Sequence, residues 1–142
     1  MNRIFTFIFL LAISLTASAA NWVYVDDDRF IDTSSIRKMS NGNTQVWVKN
    51  VLTANIIAKI ERDLRANGEN ISYLNYGYSL SLFEISCANT THGVISGADY
   101  DKSGGLISSY TLPERSRKME PIIPESTGWV TYKKVCKSGS TK

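Results

Sequence analysis

Hydrophobic and polar positions change period several times along this chain, and each change marks an element. Trp22-Val23-Tyr24-Val25-Asp26 combines aromatic and β-branched residues in a strand-like run, and Asp26-Asp27-Asp28 ends it as a turn. Arg29-Phe30-Ile31-Asp32 resumes the strand. Thr33 or Ser34 is placed to cap a short helical turn through Ile36 and Met39. Asn41-Gly42 is a strong turn signal, and Thr44 to Leu52 then alternates, with Val46, Val48 and Leu52 facing one way and Trp47 the other, as in a hairpin.

The period next lengthens to that of a helix. Ile56, Ile57, Ile60 and Leu64 share one face from about Ala54 to Asn67, with Thr53 available as a cap and Gly68 as a stop. Such a stripe is expected to pack on the protein's own sheet. From Ile71 to Cys87 the alternation returns. Leu74, Tyr76, Tyr78, Leu80 and Leu82 share one parity, then Phe83, Ile85 and Cys87 take the other, which predicts a bulge or a change of buried side near Leu82 and Phe83. Asn89 to Tyr100 and Leu106 to Leu112 read as two more strands joined by a turn at Asp101-Lys102-Ser103-Gly104-Gly105. Pro113 to Pro124 is polar and bracketed by prolines, as in a surface loop. Ser126 then caps a final short helix in which Trp129, Tyr132 or Lys133, and Cys136 recur at helical spacing. The expected fold is α+β and a single domain: an antiparallel meander with one central amphipathic helix and a short C-terminal helix.

The N-terminal segment reads differently. Arg3 precedes an apolar run from Ile4 to Ile13, and Ala17-Ser18-Ala19 fits the small-residue pattern of a signal peptidase site. Residues 1–19 are therefore expected to be a cleaved signal peptide, leaving a domain of 20–142. The run falls short of the roughly 20 residues that span a bilayer, so no transmembrane segment is expected in the mature chain. No cysteine stands near the cleavage site to accept a lipid. A hydrophobic share of 43% with 20% charged residues suits a folded globule.

Export gives the cysteines their meaning. Only Cys87 and Cys136 occur, and an even pair in an oxidising compartment favours an intramolecular disulfide. Two buried thiols, a redox pair or an intermolecular bridge are the alternatives, though the spacing is not that of a C-x-x-C motif. If closed, the bridge would staple the last helix to the long central strand.

Several fixed points together resemble the bacterial surface-adhesin protein E family. They are Trp22, the run Phe30-Ile31-Asp32-Thr33-Ser34-Ser35-Ile36, Val46-Trp47-Val48-Lys49, Cys87 closing a strand, Tyr100-Asp101 with Gly105, Ile107 and Ser109, then Pro121, Pro124, Ser126 and Val135-Cys136. The resemblance spans nearly the whole mature chain. It implies an antiparallel sheet with a C-terminal helix held by a cysteine bridge, and attachment to host matrix and serum proteins such as laminin and vitronectin. Two departures stand out: Ser86 occupies the place before the first cysteine where an acidic residue is frequent, and the lipid-acceptor cysteine is missing.

Candidate chemistry is sparse. His92 is the sole histidine, so neither a histidine metal cluster nor a Ser-His-Asp relay has support, and a surface polar role is expected for it. Asp26-Asp27-Asp28 lacks the spacing of a calcium loop. Asp99 and Asp101 could form a carboxylate pair, but nothing marks an apolar pocket to separate their pKa values. Gly104-Gly105 lacks the lysine of a phosphate loop, and the sequons at Asn70-Ile71-Ser72 and Asn89-Thr90-Thr91 carry no weight in a bacterial export context. No catalytic residue, metal or cofactor is expected, and the chain is not read as an enzyme.

Charge is more informative. Lys and Arg number 7 against 10 Asp and Glu between Ala20 and Asp101, but 8 against 3 from Lys102 to Lys142. Arg115, Arg117 and Lys118 lie in the proline-bracketed loop, and Lys133, Lys134 and Lys137 on the final helix. Such a field can steer an acidic partner, a host matrix or serum protein, a sulfated glycan or anionic headgroups; nucleic acid is excluded for an exported domain. Two functional classes follow, an adhesin-like binding protein at the cell surface and a periplasmic structural or accessory protein of the envelope with no host-binding role.

Overall fold

Period-two alternation over most of the chain becomes one antiparallel sheet. The computed structural model describes residues 19–26, 28–68 and 75–137. Most of the expected leader, Asp27, the 71–74 start of the expected long strand and the Asn70-Ile71-Ser72 sequon lie outside the described residues. The strands are β1 (Trp22–Asp26), β2 (Arg29–Asp32), β3 (Arg37–Lys38), β4 (Thr44–Val51), β5 (Tyr76–Ser86), β6 (Thr91–Asp101), β7 (Leu106–Thr111) and β8 (Glu120–Pro121), with helices α1 (Ala54–Ala66) and α2 (Thr127–Lys137). The order across the sheet is β1-β2-β4-β5-β6-β7; β3 pairs β4 and β8 pairs β6. All these pairs are antiparallel, as the meander predicts.

Register sorts the side chains onto two faces. Ile31 pairs with Val48 and Val46 with Phe83, so these residues share a face with Ile85 and Val23. α2 lies on this side: Val135 joins Ile31, Val46, Val48, Ile85 and Ile122 in the buried core, and Trp129, Tyr132, Cys87 and Cys136 pack against it. Each large aliphatic chain buried there contributes about 1.5–3 kcal/mol. Ser126 caps α2 as its sequence position implies, its hydroxyl accepting from the Trp129 amide at 3.2 Å. At the other end the Cys87–Cys136 disulfide, with Cα atoms 5.7 Å apart, ties the helix to the chain leaving β5.

The expected irregularity near Leu82 and Phe83 is present. Leu82 pairs with Ser96 and Phe83 with Val94, so the extra residue is Ile95 on β6. β5 itself keeps unbroken register with β4 from Tyr78 to Ile85. Its apolar parity changes because the side to be covered changes: α2 shelters Phe83 and Ile85, whereas Tyr78, Leu80 and Leu82 point to the opposite face.

Three local expectations need correction. The turn after β2 is a 3-10 turn of only Thr33–Ser35, and its cap is Asp32, not Thr33 or Ser34. The Asp32 carboxylate accepts from the amides of Asn21 at 2.9 Å and Ser34 at 3.0 Å. The Ser35 hydroxyl donates to the Asp32 carbonyl and accepts from the Trp47 amide; the turn cannot run on to Met39 because Arg37 and Lys38 pair with Gln45 and Thr44. Pro113 to Pro124 is not wholly a surface loop. It holds a 3-10 turn (Glu114–Ser116) and β8, and then buries Ile122, whose amide donates to the Thr90 carbonyl. On α1, Ile57 is buried but Ile56 is exposed, and the side chains of Ile60 and Leu64 lie outside what the structure describes. The helix stops at Ala66, and the turn that follows it runs through Gly68, which adopts φ +80°.

Candidate functional site

The basic positions divide between two places. Arg115, Arg117 and Lys118 are exposed in and after the 3-10 turn that leaves β7. The Arg117 Nε donates to the Leu112 carbonyl at 3.1 Å, which holds the guanidinium close to the turn. Lys118 crosses the sheet face away from α2: Gly93 pairs with Glu84 on that face, and a Cβ on Gly93 would collide with the Lys118 carbonyl oxygen. Glu84 receives hydrogen bonds from the side-chain amides of Asn43 and Asn41. Those bonds, with the nearby Arg117 charge, keep its carboxyl below the usual range despite partial burial. Lys133, Lys134 and Lys137 are exposed on α2, on the other side of the sheet. The six residues therefore form two groups on opposite faces and not one patch.

Sequence reasoning missed a larger feature on the face away from α2. Register places Tyr24, Phe30, Lys49 and Leu80 in one cross-strand row, with Val51, Tyr78, Tyr100 and Leu106 in the next. Trp47 and Leu82 stand opposite each other in a third. The rings support one another: Tyr78 stacks on Tyr100 at 4.9 Å, and Tyr24 meets Phe30 edge-on at 5.6 Å. The Lys49 ammonium sits 4.2 Å from the Tyr78 ring centre and 5.8 Å from that of Trp22, so its stem bridges two rings. Tyr24 and Leu106 are each 60% exposed at the margins. The rest of the face is half-buried; rigid, mutually braced rings offer contact at little entropic cost, a character of protein-binding surfaces. The alternation of Tyr76, Tyr78, Leu80 and Leu82 was visible in the sequence; which side α2 would cover was not.

The remaining chemistry is structural. His92 is half-buried, contrary to the surface role expected of it. It stacks on Phe83 at 5.6 Å beside Gly128 in the first turn of α2. Burial lowers its pKa, opposed by Glu120 and reinforced by Arg29. Asp99 and Asp101 do not pair. Asp99 accepts from the Ser108 hydroxyl at 2.8 Å, while Asp101 accepts from Ser103 and the Gly105 amide to close the β6–β7 turn. Among the described residues no group of three His, Cys, Asp or Glu side chains converges as metal ligands, and no helix is long and apolar enough to cross a membrane.

Known proteins share this architecture. Two structures of Haemophilus influenzae protein E superpose with a TM-score of 0.55. One is 10% identical, covering 84% of this chain and 90% of the other; the second is 11% identical, covering 82% and 84%. A structure of protein E from non-typeable Haemophilus influenzae gives 0.53 at 10% identity, covering 86% of this chain and 79% of that one. At such identities the likeness is one of fold. No curated protein matches the sequence. The sequence pattern of the family described as surface-adhesin protein E matches residues 22–137, from the first strand to the end of α2. The chain belongs to the surface-adhesin protein E family.

Proposed function

We propose that this protein is an exported adhesin, displayed at the cell surface, that attaches to host extracellular-matrix or serum proteins of the laminin and vitronectin type. The observation that carries this reading is the braced aromatic face opposite α2, a surface suited to a protein partner. Membership of a surface-adhesin family supports it. Arg115, Arg117 and Lys118 stand beside that face and supply charge that draws an acidic partner toward it. Lys133, Lys134 and Lys137 lie on the other side and contribute only to the general field.

Surface plasmon resonance of the protein lacking residues 1–19 over immobilised laminin and vitronectin tests this. Replacing Tyr24 and Leu106 together with alanine removes exposed apolar contact at little cost to folding, and is expected to weaken binding about 30-fold, as for loss of an interfacial anchor of about 2 kcal/mol. Reversing Arg115, Arg117 and Lys118 to glutamate is expected to slow association about tenfold at low salt while dissociation changes little. Undiminished binding by Tyr24→Ala/Leu106→Ala would remove the aromatic face from the contact. Failure of the unmodified protein to bind, together with protection from protease on intact cells, would favour a periplasmic accessory role.

A further inference from the structure

The N-terminal turn of α2 rests on the one histidine in the chain. Register pairs His92 with Ile85 on the face that α2 covers, and its ring lies flat on Phe83, with centroids 5.6 Å apart and planes 8° from parallel. Gly128, in the first turn of α2, packs directly against that ring: a Cβ there would stand 3.3 Å from its Cε1. His92 divides two spaces. Inside lies a cavity of about 10 Å³ lined by Arg29, Phe83, Ile85, His92, Gly128 and Thr131, barely room for one water. Outside is an open groove of about 240 Å³ that His92 shares with Lys118 and Glu120, so protons reach the imidazole from solvent there. The opposite end of α2 is fastened differently, by the covalent bond between Cys136 and Cys87.

We propose that His92 is an acid-operated latch for α2: protonation of its imidazole releases the N-terminal turn of the helix while the disulfide keeps the C-terminal end in place. The charges around the ring set the direction. Arg29 of β2 lines the small cavity with it, Lys118 lies along the groove, and Glu120 of β8, its cross-strand neighbour, supplies the opposing negative charge. The contacts from β5 and α2, namely Phe83, Ile85, Gly128 and Thr131, are uncharged. The first turn of α2 also carries the partial positive charge of a helix N-terminus. An imidazolium therefore stands close to a guanidinium and a positive helix end, in a space too small for the water that screens such charges in solution. Glu120 draws it outward into the groove, and the flat support under Gly128 goes with it. Burial, reinforced by Arg29, accordingly holds the His92 pKa below 6.5 against the pull of Glu120. The docked turn thus binds the proton more weakly than the released turn. Docking is full above pH 6.5 and weakens as pH falls through 6.5 toward the docked value. None of this depends on which partner the protein binds.

Two measurements on the oxidised mature protein test this. Proton NMR follows the imidazole directly, since the chain has one histidine, and its titration midpoint is expected below 6.5. Amide hydrogen exchange, corrected for its intrinsic pH dependence, follows the helix. The amides of Trp129 and Val130 bond back to Ser126 and close the first turn. They should exchange about threefold faster or more at about pH 5 than at about pH 7.5, while those of Val135 and Cys136 change less than about twofold. In His92→Phe, which keeps a ring on Phe83 but takes no proton, the Trp129 and Val130 amides should change less than about twofold over the same range. A thermal melt at about pH 7.5 confirms that this variant is folded. Glu120→Gln, an exposed change, removes the opposing charge and should lower the NMR midpoint further and enlarge the acceleration in acid. The proposal fails if the midpoint of the unmodified protein lies at 6.5 or above, or if Glu120→Gln leaves it unmoved. It fails equally if His92→Phe opens in acid as the unmodified protein does. Equal acceleration at both ends of α2 and in the strands would also overturn it, as a global loss of stability with no latch.

Discussion

Breaking the Cys87–Cys136 disulfide should cost this protein a large part of its stability. The bridge closes a separation of 49 residues, and chain-entropy reasoning gives about 14 cal/mol/K for a loop of about 50 residues, or about 4 kcal/mol at 25 °C. A folded domain of about 120 residues unfolds with an entropy near 0.25 kcal/mol/K at its midpoint, so the loss corresponds to a fall in Tm of about 15 °C. The native state should respond locally as well. α2 is held by the core contacts of Val135, Trp129 and Tyr132 as well as by the bridge, so it should remain docked but open more readily at its C-terminal end. Calorimetry with and without reductant measures the first effect, and amide hydrogen exchange across 127–137 measures the second. A fall in Tm below about 5 °C, with unaltered exchange in α2, would show that packing alone holds the helix and that the entropic argument fails here.

Three further outcomes are expected. Gly93→Ala should destabilise by about 1–3 kcal/mol in urea titration, because the new Cβ meets the backbone carbonyl of Lys118 and not the flexible end of a side chain. Asp32→Ala should cost about 1–2 kcal/mol at pH 7. Burial opposes ionisation of Asp32, but the Ser34 hydroxyl with the Asn21 and Ser34 amides outweighs it and holds the folded pKa below the ordinary 3.8. The carboxylate's contribution is therefore full above about pH 5 and lost as pH falls from 3.8 through the folded value, and chemical denaturation of both proteins should converge in that acid range. Intact-mass analysis of exported protein should find Ala20 at the N-terminus, and retained Met1 to Ala19 would refute the leader assignment.

Elements that rest on local chemistry were legible in the sequence. The strand at Trp22, the helix that stops ahead of Gly68, the irregularity near Leu82 and the Ser126 cap each follow from residues within a few positions of one another. What escaped depends on distant partners. Asp32 outcompetes Thr33 and Ser34 as a cap because Asn21, 11 residues away, also donates to it. β8 is only two residues, one of them a proline, a pattern no alternation reveals, and it exists because β6 extends past β7 and offers its edge at Thr91 and His92. The same limit applies to the surfaces. Each basic run is plain in the sequence, yet their separation onto two faces follows from how Lys118 crosses Gly93 and how α2 folds back.

The bridge has a second effect that concerns survival in a hostile fluid. Exposed loops are where proteases nick a folded chain, and here the exposed segment from Pro113 to Met119, with Arg115, Arg117 and Lys118, invites trypsin-like cleavage. That segment lies inside the covalent ring closed by Cys87 and Cys136. A single cut after Arg115 would divide the chain but leave the piece carrying β8 and α2 attached to the end of β5. The nicked protein would keep its helix, its core and both faces, and would separate into two fragments only when reduced. A protein built this way can be nicked within that segment and still keep its fold.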